Sequence, residues 1–550
     1  MKLQFEETAV RVLKSALQDT KLQELTQEVK LSDAMPDIGR ALTSWAQIQL
    51  RSKEWSRGQL QVTGGVSVHT LYVPEDGSEP RCSENWIPFQ MSWSVDPELR
   101  EGGILIYPLV RFADSRAVSS RKLMLRIGIG LTVQALSPED VHPAQSGEVP
   151  EDVQLLTGRY PLCLPKEMGE KTFLLDEEIP IPGTIPKPEK LLVLSLTPSV
   201  TEARVLGDKL AFRGRAGVHM VYRCEAGKIR SWDTEQPFSQ IAQLDGSYGE
   251  DSRAVMVMAL TSQEQLMEES GNLRLKAGLV GQYLVEERQL VSVTEDAYSP
   301  FRSVELTDTS LEVPVILEDR TQQLRAVQTL NSLSGQIADV SFYPDFPVLR
   351  GMGEQTALEM SGVFQVLSYG EDEALASASV RWEDALTLPA DESVRLVSLP
   401  AHDGAPSASP TPEGTQLSAD TQLRLISYAR DRLPMVTALE LGPQQMPDGA
   451  RPTFILTRPG EESLWEIAKR CGSTVDAIQS ANKLTNEPVG NPMLLIPVCG
   501  KRKNCRSGGV RTGGGQSVAS GGSVCLYIVY PIKSRENKGN PSNFKTCYRY

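Results

Sequence analysis

Proton transfer, nucleophilic attack and metal ligation draw on histidines, cysteines and paired carboxylates held close together. This chain of 550 residues has only four histidines, at 69, 142, 219 and 402, and eight cysteines. None of the histidines has another histidine or a cysteine at helical spacing. His69 and His219 fall in one strand of an internal repeat and read as incidental. Gly128-Ile129-Gly130 and Gly351-Met352-Gly353 lack the third glycine of a dinucleotide loop, and the chain has no P-loop lysine motif. The expected chemistry is binding without catalysis, with no cofactor and no metal.

The cysteines fall into two groups. Cys82, Cys163, Cys224 and Cys471 are scattered singly, so reduced thiols are expected there. Cys499, Cys505, Cys525 and Cys547 crowd into the last 52 residues beside 10 Lys plus Arg and a single acid, Glu536. That tail, 499–550, reads KRKNCRSGG and then GGGQSVASGG. It is expected to be disordered or the product of a shifted reading frame, in preference to a basic anchor for an anionic surface.

Lys plus Arg number 56 against 70 Asp plus Glu, a net charge of −14. That balance argues against nucleic acid as a partner, because phosphate-backbone binders need clustered cations. The N-terminus Met-Lys-Leu-Gln-Phe-Glu-Glu carries acids where an export signal needs an apolar stretch. No run approaches the roughly 18 apolar residues of a membrane span. A protein without a transmembrane segment, soluble and retained in the cytoplasm, is expected. With 40% hydrophobic and 23% charged residues the composition is globular, and the length suits about three or four domains.

A repeat organises the chain. LQVTGGVSVHTLYVPEDG from Leu60 aligns with LAFRGRAGVHMVYRCEAG from Leu210 at an offset of 150, placing Gly64 over Gly214 and Tyr72 over Tyr222. ALEMSGVFQVLSYGEDE from Ala357 is a third copy, with Gly362 and Tyr369 in the matching places. Later in each unit KLMLRIG, NLRLKAG and QLRLISY make Leu123, Leu273 and Leu423 equivalent. Earlier, QEVKLS from Gln27 matches EEIPIP from Glu177, with QTLNSL from Gln328 a looser copy. Within a unit the apolar period is two, as in Leu123, Leu125, Ile127 and Ile129, which suits half-buried strands. Gly77 and Gly227 offer the positive φ of tight hairpins.

The fold class is therefore mainly β: three tandem sandwich or open-barrel repeats of about 150 residues, at 1–150, 151–300 and 301–445, then a small module at 452–498 and the tail. Three connecting or peripheral segments have their own expectations. IPIPGTIPKPEK, Ile179 to Lys190, suits an edge strand followed by an extended connection, since proline removes donors. PAHDGAPSASPTPEGTQ, Pro400 to Gln416, suits a mobile surface loop. Val10, Leu13 and Leu17, spaced 3 and 4 apart, predict an amphipathic helix over 8–19, packed on the first repeat.

From Thr453 the order reads strand, helix, helix, strand. Phe454 to Leu456 make the first strand, and Pro459 and Gly460 turn the chain. Ser463 with Glu466 forms a capping box. Leu464, Ile467 and Ala468 give the first helix its apolar stripe, and Gly472 stops it. Ser473 or Thr474 opens the second helix, which buries Val475, Ile478 and Ala481 and ends at Asn482. Leu494 to Pro497 returns as a strand. Trp465, placed in the helix pattern, suits packing at least as well as sugar stacking.

PGEESLWEIAKRCGSTVDAIQSANKL resembles a LysM domain, a βααβ module that binds N-acetylglucosamine polymers. The resemblance implies a shallow groove between two loops. By position these carry Arg458, Pro459, Gly460, Glu461, Glu462 and Ser463 on one side and Asn482, Lys483, Leu484 and Asn486 on the other. Three β-rich repeats ending in this module, with LSDAMPDIGR at 31–40, resemble the SipL-like spore-coat morphogenesis proteins, whose repeats are called SPOCS domains. That resemblance implies a non-enzymatic scaffold in the mother-cell cytoplasm, at the forespore surface. Its LysM domain would grip the coat ATPase, stage IV sporulation protein A. A peptidoglycan or cortex glycan is the alternative partner.

Overall fold

The computed structural model describes residues 2–3, 6–7, 10–141, 144–145, 149–268, 271–331, 335–352, 355–370, 373–388, 393–396, 401–402, 404–444, 453–488, 490–498 and 526–528. The architecture is mainly β, with many antiparallel sheets and two short helices near residues 464–482.

The strands form three groups of like construction. In the first, Val10–Lys30, Lys122–Val141 and Gly103–Ser119 make one sheet, and Ile38–Ser56, Gln59–Pro74 and Arg81–Ser94 make the other. Alternate residues of Lys122–Val141, namely Leu123, Leu125, Ile127, Ile129, Leu131 and Val133, are all 0% exposed, facing Leu60, Val62, Val66 and Val68 across the unit's core. Each such burial stabilises the unit by about 1.5–3 kcal/mol. The second group pairs Gln154–Ile179, Leu273–Tyr298 and Arg253–Met267 in one sheet, against Pro188–Cys224 and Ile229–Tyr248. The third sets Arg302–Leu330 and Gly414–Gln444 against Ile337–Pro344, Val348–Met352, Gln355–Tyr369 and Leu375–Leu388.

Residues matched by the repeat occupy matching places. Leu123, Leu273 and Leu423 are fully buried, and Tyr72, Tyr222 and Tyr369 are buried. Gly64, Gly214 and Gly362 are needed because a Cβ there would meet Phe89, Phe238 and Phe342 at 2.7, 2.5 and 2.5 Å. Gly77 and Gly227 take φ of 72° and 74° in their hairpins.

Four expectations are corrected. Residues 10–30 form a strand, not a helix. Ala16 is bulged between Ser15 and Leu17, so Leu17 packs in the unit's own core while Leu13 joins the contact with the second unit. An apolar residue on each face of a bulged strand imitates helical spacing. The 400–416 segment is not a free loop: Ala401–His402 and Ser407–Thr411 pair with the strand Gly414–Gln444. Pro410 is tolerated because this is an edge. Ala481 is exposed, not buried. The segment 179–190 is a turn and not an edge strand with an extended connection: the edge strand Gln154–Ile179 ends at its first residue, the chain turns at 183–184, and the strand Pro188–Cys224 begins within it. Of the tail, only Leu526–Ile528 lies within the described residues, parallel to Phe454–Leu456; the expectation of disorder otherwise falls outside them.

The units close on one another. Leu105, Tyr107 and Leu136 of the first meet Val255, Val257 and Leu284 of the second. There the Gln282 amide satisfies both Ile106 N and Ile106 O, at 3.0 and 2.9 Å. Val153 and Ala297 of the second meet Val436, Leu439 and Leu441 of the third, flanked by a two-pronged Arg302–Asp152 pair at 2.7 and 2.8 Å. Arg111 of the first clasps Asp345 of the third with both contacts at 2.6 Å. All three contribute to one apolar junction holding Trp45, Leu71, Val193, Val221, Leu367 and Tyr369.

Candidate functional site

The module after the third unit follows its local sequence signals closely. Helix α1, Leu464–Cys471, starts at Ser463, whose hydroxyl accepts from Glu466 N at 3.2 Å while Ser463 N donates to Glu466 Oε2 at 2.8 Å. Gly472 ends it at φ 63°, a left-handed cap suited to glycine. Helix α2, Val475–Asn482, is capped by Thr474, and Lys483 adopts φ 56° beyond its end. Phe454–Thr457 and Leu494–Pro497 pair antiparallel. Leu464, Ile467, Ala468, Ile478, Leu494 and Ile496 form the module's core. Acidic Glu466 in the first turn of α1 and basic Lys469 and Arg470 in its last turn complement the helix dipole.

Two bonds tie the start of α1 and the loop before it to the segment after α2. Gly460 N donates to Asn491 Oδ1 at 3.1 Å. Leu464 N, an otherwise unpaired donor at the start of α1, donates to both Glu487 oxygens at 3.1 and 3.2 Å.

The structure sorts the ten assigned residues by what their side chains already do. Pro459 is buried. Ser463 is used as the cap, and Glu462 holds Arg470 in a two-pronged pair at 2.9 and 2.7 Å, which raises the guanidinium pKa. Asn482 makes three bonds, donating to Ile478 O and Leu495 O at 2.8 and 2.7 Å and accepting from Leu495 N at 2.8 Å. Leu484 packs on the core. Arg458, Gly460, Glu461, Lys483 and Asn486 are exposed on the loops, and these can meet a partner without dismantling the module.

Trp465 faces the second unit. Its Nε1 donates to Asp296 Oδ2 at 2.8 Å, and its ring meets Tyr298 edge-on, with centroids 4.8 Å apart. Lys469, one turn on, reaches both Asp296 oxygens at 2.8 and 2.7 Å. Tyr298 is 5% exposed and donates its hydroxyl to Ser473 O at 2.9 Å; burial and the nearby Asp296 and Asp476 carboxylates raise its pKa. The indole is thus a docking group, with its N–H spent on Asp296.

His219, read from the sequence as incidental, is a titratable centre in the structure. Its Nδ1 lies 2.8 Å from Asp233 Oδ1 and its Nε2 3.1 Å from Asp339 Oδ1. Two carboxylates outweigh burial and raise its pKa to about 10. The signal was in the sequence: His69 and His219 stand at the repeat offset of 150, and the next strand places an acid opposite each, Glu84 and Asp233. Cys82, Cys163, Cys224 and Cys471 are free thiols, and burial pushes Cys82 up to about 12, the state of an unreactive thiol. Among the described residues no three His, Cys, Asp or Glu side chains gather as a metal site, and no helix is long and apolar enough to cross a membrane.

Residues 458–487 match the LysM domain family. No curated protein and no solved structure matches the chain. The match identifies the terminal module as a binding domain, of a family associated with peptidoglycan and related glycans, and not as a catalytic one.

Proposed function

We propose that this protein is a non-enzymatic assembly scaffold of the spore envelope, acting in the mother-cell cytoplasm at the forespore surface. Its LysM module would recruit it by gripping the coat ATPase, stage IV sporulation protein A. The observation that carries the reading is the combination of three like-built β units with a LysM module fixed to the second of them, its loop residues Arg458, Glu461, Lys483 and Asn486 left facing outward. Such a body offers several surfaces at a fixed spacing, and linkage multiplies weak contacts into stable attachment. The resemblance to SipL-like proteins with SPOCS repeats supports the cellular setting.

A second reading is favoured by the family match at 458–487: the same loops bind an N-acetylglucosamine polymer of peptidoglycan or cortex. One pair of measurements separates the two. The full-length chain is immobilised and challenged with the purified ATPase, then titrated calorimetrically with N-acetylglucosamine oligomers. Retention of the ATPase, lost when Arg458 and Lys483 are both changed to Glu, supports the scaffold. Heat on sugar addition with no ATPase retained replaces it with the glycan reading. In sporulating cells, deletion of 452–498 should abolish localisation at the forespore, and unchanged localisation would sink both.

A further inference from the structure

Internal duplication creates a problem of address. Three units of like construction could seat against one another in the wrong sequence, and apolar junction residues, being non-directional, discriminate poorly among the arrangements. The junction contains one polar cluster to which each unit contributes a different group. Trp45 Nε1 from the first unit donates to Asp339 Oδ2 of the third at 3.0 Å and to Ser341 Oγ at 3.1 Å. His219 from the second unit lies 3.1 Å from the other Asp339 oxygen, held from behind by Asp233. That contact is an ion pair without an aligned hydrogen bond, since neither His219 Nε2 nor Asp339 Oδ1 has a hydrogen-bond partner. Asp339 is 3% exposed, and among the described residues its own unit supplies only the Ser341 hydroxyl, at 3.2 Å.

The repeat shows that these groups are not interchangeable. Trp45 opposes His69 on the neighbouring strand; the position 150 later is Ser195, and the third unit has Val340 opposing Val366 in that place. Asp339 opposes Leu367 where Ser44 opposes Thr70, so the third unit has a carboxylate where the first has a hydroxyl. His69, the first unit's copy of His219, is directed to Glu84 at 3.8 Å. An indole from the first unit, an imidazolium from the second and a carboxylate from the third therefore meet in one arrangement of the units.

We propose that the Trp45–His219–Asp339 cluster is an assembly lock that specifies which unit faces which and makes docking of the third depend on the other two. A buried carboxylate is tolerated only with its partners in place, so a misplaced or undocked third unit leaves Asp339 either buried alone or forced back to solvent. The net apolar gain of a wrong seating is then cancelled, the logic by which single buried polar groups fix register elsewhere.

The test uses the full chain with His219→Gln, Asp339→Asn and the double variant, read by hydrogen exchange of the strands Ile337–Pro344 and Gln59–Pro74. Each single change should speed exchange in the third unit's strand by about tenfold or more, on the scale of a broken buried pair. The first unit's inner strand should change far less. The double variant should be no faster than the faster single one, because both remove the same pair. Trp45→Phe, which keeps the ring and loses only the N–H, should show a smaller shift confined to the same strand and guards against collapse of the other variants. Multiplying effects in the double variant, or equal acceleration in both strands, would overturn the lock.

Discussion

Asp296 accepts the indole N–H of Trp465 at 2.8 Å, and this joins a helix of the terminal module to the last strand of the second unit, not to the third unit that precedes it in sequence. The module is seated on its neighbours, and its orientation is set by that carboxylate together with Lys469 and Tyr298.

Trp465→Phe retains the edge-on contact with Tyr298 and loses one hydrogen bond, so the docked module should weaken by about 1 kcal/mol. Trp465→Ala removes the ring as well and should cost roughly 2 kcal/mol or more. Exchange of the α1 amides in the full chain measures both. An alanine variant that exchanges like the parent would show that the docking is not made in solution.

Within the module, structural and available residues should separate cleanly. Ser463→Ala should destabilise by about 1 kcal/mol through loss of the cap. Asn482→Ala should cost about 2 kcal/mol, since Leu495 loses partners on both its N–H and its carbonyl. Arg458→Glu and Asn486→Ala, on exposed loop positions, should stay within about 0.5 kcal/mol of the parent in urea unfolding. Yet they should weaken capture of the partner, whichever macromolecule it is.

Gly214→Ala sets a Cβ 2.1 Å from the carbonyl of Ser199 and 2.5 Å from the Phe238 ring. Backbone cannot step aside as a flexible side chain can, so a loss of about 2–3 kcal/mol is expected. Gly227→Ala meets nothing within 4 Å and bears only the cost of φ 74°, about 1–2 kcal/mol. Thermal unfolding of the two variants should rank them in that order.

The paired histidines should titrate stability in opposite directions. His219, with its pKa raised from 6.5 to about 10, contributes stability that is complete below pH 6.5 and drains away as the pH climbs through 10. His69 is lowered from 6.5, by burial first, against the smaller pull of Glu84. Its unfolded form binds the proton more readily, so stability is present above 6.5 and lost as the pH falls through the lowered value. Against the parent chain, His219→Gln should flatten the alkaline limb of a stability–pH curve and His69→Gln the acid limb. Superimposable curves would refute the assignment.

Much of this was legible in the residues. The cap at Ser463, the stop at Gly472 and the equivalence of Leu123, Leu273 and Leu423 are local or periodic signals, and local chemistry determines them. Residues 10–19 were not legible, because their strand is defined by a partner more than 100 residues away, Lys122–Val141, and by a bulge no propensity announces; residues 8–9 of that expectation lie outside the described residues. Trp465 and His219 had clear positions in the pattern, but Asp296 and Asp339 became their partners only through packing between units. Burial of a charge is decided by the assembled surface, and that surface is absent from any window of sequence.

The Arg111–Asp345 clasp joins the first unit to the last, and the pairing of Lys2–Leu3 with Leu439–Glu440 brings the opening residues onto the final unit as well. A solenoid keeps a free end and can lengthen by gene duplication one module at a time. Where the first unit is already tied to the third, a further copy would have to break an existing seam before it could enter.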